Sequence, residues 1–170
     1  MFEAVKQGFV GLTLFIMNWA GPSASWAEIE PPSVRATDSI TVVTCRMKSP
    51  WDPKIIDLVD AGVPLRFRFS ARPENGAAVT FTRTLLFNVG DYSYMFRDSL
   101  PDYVTRSKKY PLVDLALKDF CEWEARLPRV RGRCTVTAEI LPAYVSRLRR
   151  SVDMSGLWGQ EKISRDVELK

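Results

Sequence analysis

The chain of 170 residues contains no histidine. That absence removes Ser-His-Asp and Cys-His catalysis, because no imidazole can act as base. It also removes nearly every zinc site except an all-cysteine one. The three cysteines, Cys45, Cys121 and Cys134, are too dispersed for a CxxC redox or zinc motif. Three cysteines leave one over in any pairing; Cys121 and Cys134 are as easily explained as small buried hydrophobes, so no disulfide is expected, and Cys121–Cys134 is the pair to check. No serine has a lysine three places on, and neither a P-loop nor GxGxxG is present. No cofactor is expected. There is no internal repeat, no low-complexity tract and no strong charge imbalance, the formal net charge being +4.

What is there begins with a leader. Lys6 precedes a mostly apolar run over Gly8–Ala20, Pro22 ends it, and Ser25-Trp26-Ala27 places small residues at the two positions a signal peptidase reads. The run is shorter than the ~20 residues that span a bilayer. Residues 1–27 are therefore expected to be a cleaved signal peptide, with an uncleaved anchor as the alternative, and the protein is expected to be periplasmic or otherwise extracytoplasmic. Residues 28–37, with two prolines, read as a linker. Residues 38–170 read as one domain, as the length suggests.

Within that domain Asp52–Arg72 is the most explicit stretch. Asp52 suits an N-cap and Pro53 a first helical turn. Ile55, Ile56, Leu58 and Val59 repeat at helical spacing, and Gly62-Val63-Pro64 stops the helix. Leu65, Phe67, Phe69 and Ala71 then alternate with Arg66, Arg68, Ser70 and Arg72, which makes a strand with an apolar inner and a basic outer face. Further strands are expected over Ser39–Lys48, Ala78–Phe87, Tyr92–Phe96 and Gly132–Leu141, with shorter ones at Tyr103–Thr105 and in the tail, where Ile163, Val167 and Leu169 alternate. Arg83 falls in the apolar phase of its strand, which suggests a bulge or a strand end. Pro111 opens a second helix, Leu112–Glu124, with Cys121 and Trp123 widening its apolar face. Pro142–Val152 fits either strand or helix.

Consecutive strands joined by short turns favour antiparallel pairing. The expected fold is mainly β (β-rich α+β): an antiparallel β-sandwich of six or seven strands with two peripheral helices. A single sheet backed by both helices is the alternative. Leu58, Ala61, Gly62, Val63, Pro64, Leu65 and Phe67 form a helix–GVPL–strand pattern that resembles a bacterial envelope family of unassigned activity. The Tyr92/Tyr94 strand, the helix over Leu112–Trp123, the strand Cys134–Leu141 and Trp158 are similar in order; Asn88–Tyr110 departs from the pattern, and tryptophans expected after the second strand are missing. The resemblance implies an envelope location and a β-rich fold, and carries no catalytic motif.

Two carboxylate groups, Asp52/Asp57/Asp60 and Asp114/Asp119/Glu122, read as solvated helix faces. Trp51, Tyr92, Tyr94 and Trp123 fit the core by periodicity, whereas Trp158, between Gly156 and Gly159, has no core explanation in the sequence. Arg126–Arg150 holds Arg126, Arg129, Arg131, Arg133, Arg147, Arg149 and Arg150 against a single acid, Glu139. Arg129, Arg131, Arg133, Arg147, Arg149 and Arg150 are thus the candidate basic binding surface, which merges with Arg66, Arg68 and Arg72 if the two strands share a sheet. The expected function is a non-catalytic envelope interaction module whose partner is another envelope protein or an anionic membrane surface, not nucleic acid. The alternative is a small carboxylate-dependent periplasmic hydrolase. N-terminal sequencing of the native protein should find Glu28 first; an intact Met1 in the soluble cytoplasm would sink the export reading.

Overall fold

The computed structural model describes residues 27–145 and 149–170; residues 1–26 of the leader and Arg147 lie outside them. The strands are β1 (Glu28–Ile29), β2 (Ser33–Ala36), β3 (Ile40–Lys48), β4 (Leu65–Pro73), β5 (Val79–Asn88), β6 (Ser93–Ser99), β7 (Val104–Arg106), β8 (Glu122–Pro128), β9 (Gly132–Leu141), β10 (Ala143–Val145), β11 (Arg150–Val152) and β12 (Lys162–Leu169). The helices among the described residues are α1 (Pro53–Asp60), α2 (Val113–Phe120) and α3 (Ser155–Trp158), none long and apolar enough to cross a membrane. A six-stranded antiparallel sheet in the order β12-β9-β4-β5-β6-β7 faces a smaller sheet in which β3 pairs with β1 and β2 along one side and β8 along the other. The β10–β11 hairpin stands apart from both sheets. The fold is thus the mainly β, antiparallel sandwich expected, with more strands than the sequence suggested.

The core lies between the sheets. Leu65, Phe67, Phe69, Val136, Ala138 and Ile140 are all buried, as alternation along β4 and β9 requires. The facing layer is Val43, Cys45 and Met47 from β3 with Trp123, Ala125 and Leu127 from β8. Phe69 meets Trp123 across the gap with ring centroids 4.4 Å apart. Asp52 caps α1, accepting from the Lys54 N–H at 2.8 Å. At the other end Val63 N–H donates to Leu58 O and Gly62 N–H to Val59 O, both at 2.9 Å, with Gly62 at φ +87°. This is a Schellman closure, which needs a residue that tolerates the left-handed region.

Four segments differ from the sequence reading. Residues 28–37 are not a linker: β1 and β2 pair with β3, two short strands end to end along one edge. The second helix stops at Phe120, and Glu122–Pro128 is β8. The alternation of Trp123, Ala125 and Leu127 with Glu122, Glu124 and Arg126 is a strand period, not a widened helical face. Tyr92 leaves the face of Tyr94 and Phe96 and sits exposed in the turn at φ +49°. Trp158 is a core residue, 2% exposed, its ring 4.9 Å from Phe67 and edge-on, its Nε1 donating to Ser49 Oγ at 3.0 Å.

Arg83 accounts for the remaining feature. It is neither a bulge nor a strand end: it stays in register, opposite Phe67 on one side and Asp98 on the other. Its side chain points inward and is 7% exposed. Nε and Nη2 grip the two oxygens of Asp98 at 2.6 and 2.7 Å. Nη1 donates to the Phe120 carbonyl at 2.8 Å and the Glu122 carbonyl at 2.6 Å, just past the last turn of α2. A helix end leaves its last carbonyls without intrahelical partners and carries partial negative charge, so a buried cation belongs there. The guanidinium also lies 4.5 Å from the Phe96 ring centroid. Arg83→Leu should cost about 3 kcal/mol, because Asp98 is left charged and largely shielded from water without its partner. The Arg83→Leu/Asp98→Leu pair should recover part of that loss in urea denaturation; a double variant no more stable than the single one would refute the ion-pair account.

Candidate functional site

The outer face of the large sheet can be built from its register. Along β4 it presents Arg66, Arg68, Ser70 and Arg72, since Leu65, Phe67, Phe69 and Ala71 are buried. Arg66 faces Leu141 of β9 and Thr84 of β5; Thr84 faces Arg97 of β6, and Arg97 faces Arg106 of β7. A single row across four strands therefore reads Arg66, Thr84, Arg97, Arg106. The outer positions of β5 that precede and follow Thr84 are Thr80, Thr82, Leu86 and Asn88, and those of β6 include Met95 and Ser99. No carboxylate occurs on this face from β4 through β7. Asp98, which follows Arg97, points inward to Arg83, and Asp102 lies in the turn beyond β6.

The acids of the outer face lie on β9 and β12. Glu139 stands beside Arg68, 3.3 Å from its Nη1. Asp166 and Glu168 are opposite Thr135 and Arg133, and Thr135 Oγ1 donates to Asp166 at 2.7 Å. The outer face is thus divided into an arginine-bearing half and a mixed half. Arg66 donates to the Pro142 carbonyl at 3.1 Å. Arg97 and Arg106 are exposed, and neither side chain has a hydrogen-bond or ion-pair partner among the described residues.

The arginines expected from the sequence are distributed differently. Only Arg133 lies on β9, since that strand starts at Gly132, and its strand neighbour is Glu168. Arg129 is in the preceding connection, with its Nη1 3.7 Å from Asp38, and Arg131 is exposed beside it. Arg149, at φ +50°, and Arg150 stand at the turn of the β10–β11 hairpin, past the other end of β9. A strand of that length spans about 30 Å, so Arg129, Arg131 and Arg133 do not gather with Arg149 and Arg150. Arg147 lies outside the described residues. β4 and β9 do share a sheet, as that merging requires: Arg72 lies opposite Thr135, the outer-face neighbour of Arg133 along β9, whereas Arg68 lies opposite Glu139; Glu168 adjoins Arg133 from β12, on the other side. Arg97 and Arg106 were missed; their shared row depends on the β6–β7 pairing, which no local motif announces.

A second feature is a cleft of about 320 Å3 between the end of β3 and α2. Met47, Leu117 and Cys121 form its buried floor, Trp51 stands against it, and Arg46, Lys48, Lys118, Glu30 and Asp114 line the rim. Glu30 and Asp114 are two carboxylates in one cleft, but Asp114 is exposed and Glu30 only half-buried. A carboxyl that acts as general acid near neutral pH is normally one shielded from water. Of the other carboxylates of the sequence reading, four have structural partners: Asp52 caps α1, Asp60 accepts from Tyr94 Oη at 2.7 Å, Asp119 from Tyr110 Oη at 2.8 Å, and Glu122 pairs with Arg46. Among the described residues no cluster of three Cys, Asp or Glu side chains could hold a metal ion.

The thiols of Cys45, Cys121 and Cys134 are free and buried. Burial pushes Cys121 up to about 12, with the nearby Arg83 charge opposing. Burial, aided by Cys134, pushes Cys45 up to about 12 as well. A thiol held protonated in this way is a poor nucleophile. Tyr94 and Tyr110 are raised to about 12, by burial first and then by their bonds to Asp60 and Asp119.

No family model matches the chain, and neither curated proteins nor solved structures yield a match.

The raised thiols and phenols make alkaline stability predictable. In the unfolded chain a thiol ionises near pH 9.0, whereas folded Cys45 and Cys121 hold their protons to about 12. Over that window the unfolded chain binds fewer protons, so stability is full below it and falls as pH rises. The urea midpoint should drop between pH 9 and 12, and Cys45→Val should flatten the decline; a profile independent of pH would contradict the burial of these groups.

Proposed function

We propose that the protein is a non-catalytic binding module of the cell envelope that engages an anionic partner through the arginine-bearing half of its large sheet. The observation that carries this reading is the row Arg66, Thr84, Arg97, Arg106 on a face without carboxylates from β4 to β7. A stable fold has no need of like charges directly opposite each other on neighbouring strands, because such pairs repel. An anionic surface laid over them removes that repulsion. Arg129, Arg131 and Arg133 at one end of β9, and Arg149 and Arg150 at the other, add positive charge beyond that row.

The partner is an anionic membrane surface or an acidic envelope protein. Single-stranded nucleic acid is disfavoured: its recognition on open sheets uses aromatic side chains to stack bases, and the outer positions of β4 to β7 hold none. Export is supported by the placement of β1, which begins directly after Ser25-Trp26-Ala27, so that a cut before Glu28 leaves every strand whole. Such a cut removes the contacts of Ala27, whose carbonyl accepts from Gln160 Nε2 at 3.0 Å. The hydrolase alternative rests on Glu30 and Asp114 sharing a cleft, and their exposure weighs against it.

The test is co-sedimentation of the protein with phosphatidylglycerol vesicles, and pull-down of envelope proteins, at low and high salt. Exposed charges are screened beyond about 8 Å at physiological ionic strength, so retention should fall steeply as salt is added. Arg66→Gln/Arg72→Gln/Arg97→Gln/Arg106→Gln should abolish it, and Arg129→Gln/Arg131→Gln/Arg133→Gln should reduce it. Retention indifferent to both salt and the first set of substitutions would leave the arginines as solubilising surface.

A further inference from the structure

The anion-binding reading treats the arginine face as a whole; one pair within it is more specific. Arg97 and Arg106 are Cα partners in the β6–β7 ladder, on the same face and both exposed. Directly opposed residues on antiparallel strands hold their Cβ atoms about 5 Å apart. Two guanidinium groups on long side chains can therefore converge on one small group from two sides. Neither is claimed by anything else, in contrast to Arg46, Arg68, Arg83 and Arg129, which have carboxylate partners.

From this pairing we infer that Arg97 and Arg106 form a clamp for a single phosphomonoester group, and this inference rests on the anion-binding function proposed above. The charge count selects the ligand. Two opposed cations are neutralised together by one dianion, whereas a carboxylate or a phosphodiester carries a single charge and leaves one guanidinium uncompensated. Shape selects it further. A guanidinium donates two parallel N–H bonds to a pair of oxygens, and a tetrahedral group offers a separate pair to each of two forks. Thr84, next to Arg97 in the same row, continues the line to Arg66, which is tethered to the Pro142 carbonyl and so stands as a fixed third charge. The groups facing the clamp are Arg66 on β4 and neutral side chains on β5; no carboxylate of the outer face of β5, β6 or β7 competes for it. The phosphomonoester can be carried by a lipid headgroup or by a soluble phosphorylated compound, and the chemistry read is the same.

The pH dependence of binding follows from the ligand. The second ionisation of a phosphomonoester lies near ~6, while arginine stays charged throughout. Binding should be full above that pH and weaken as pH falls through it; sulfate, a dianion of the same shape that does not titrate there, should show no such change.

The full chain is titrated with glycerol 1-phosphate, sulfate and acetate at matched ionic strength, followed by the NMR signals of the arginine Nε–H groups. The phosphomonoester should shift the signals of Arg97 and Arg106, and acetate should not at the same concentration. Arg97→Gln or Arg106→Gln should weaken binding about tenfold or more, and Arg97→Lys, which keeps the charge and loses the fork, should weaken it measurably. A parallel arm compares vesicles of phosphatidic acid with vesicles of phosphatidylglycerol at equal charge. Preference for phosphatidic acid together with binding of the soluble probe points to the group itself; preference in vesicles alone points to a lipid source. Equal response to acetate, or full binding by both glutamine variants, would overturn the clamp. If salt-sensitive vesicle binding survives that result, the anion-binding function stands without it; if neither the probe nor any vesicle is bound, both fail.

Discussion

The fold depends on a single buried cation. The large sheet is six strands wide and the small one only β1 and β2, β3 and β8, so β5 and β6 extend past the cover that β8 provides. α2 fills part of that gap, and Arg83 is what fastens it. One guanidinium holds Asp98 on the neighbouring strand and the carbonyls where α2 passes into β8. Four aromatic rings, of Phe69, Phe81, Phe96 and Phe120, surround its charge within 6 Å. Arginine can do this because its five donors are rigidly splayed and it is the more weakly hydrated of the two basic side chains. The same contact places Asp98 inward, and strict alternation along β6 then sends Arg97 outward. The inward pair and the outward-facing row are therefore consequences of one strand phase.

Much of this architecture was legible in the residues. The cap at Asp52, the stop at Gly62 and the alternation of β4 and β9 are local signals, each a matter of a few adjacent side chains, and the structure follows them closely. β8 was hidden because it begins one residue after α2 ends. No glycine or proline marks the join at Cys121, and a strand that starts with Glu122-Trp123 can be continued on paper as helix. β1 and β2 were hidden by Pro31 and Pro32, which do interrupt the pairing, but only between two strands that share the same partner. Trp158 has flexible neighbours in sequence, yet its burial is decided by Phe67 and Ser49, both far away along the chain.

The candidate surface was less legible than the core, for a physical reason. An apolar face announces itself by period, whereas a cluster of surface charges is assembled by register between strands. Counting arginines along Arg126–Arg150 found density in sequence, and the turns of the chain disperse it to the two ends of β9. Arg97 and Arg106 lie in a stretch broken by Pro101, where no period is clear, and only the β6–β7 ladder sets them opposite each other.

The division of the outer face has a bearing on how a partner would arrive. Glu139, Asp166 and Glu168 lie toward β12, and Arg66, Arg97 and Arg106 toward β7. A sheet whose positive charge is concentrated on one half and offset by acids on the other carries a lateral dipole in its own plane. In the field of an anionic surface such a molecule experiences a torque as well as an attraction, and it turns before it touches. It would land tilted, β7 edge first, with the mixed flank lifted away. A chain whose net charge is only modestly positive can in this way meet a negative surface in one preferred orientation.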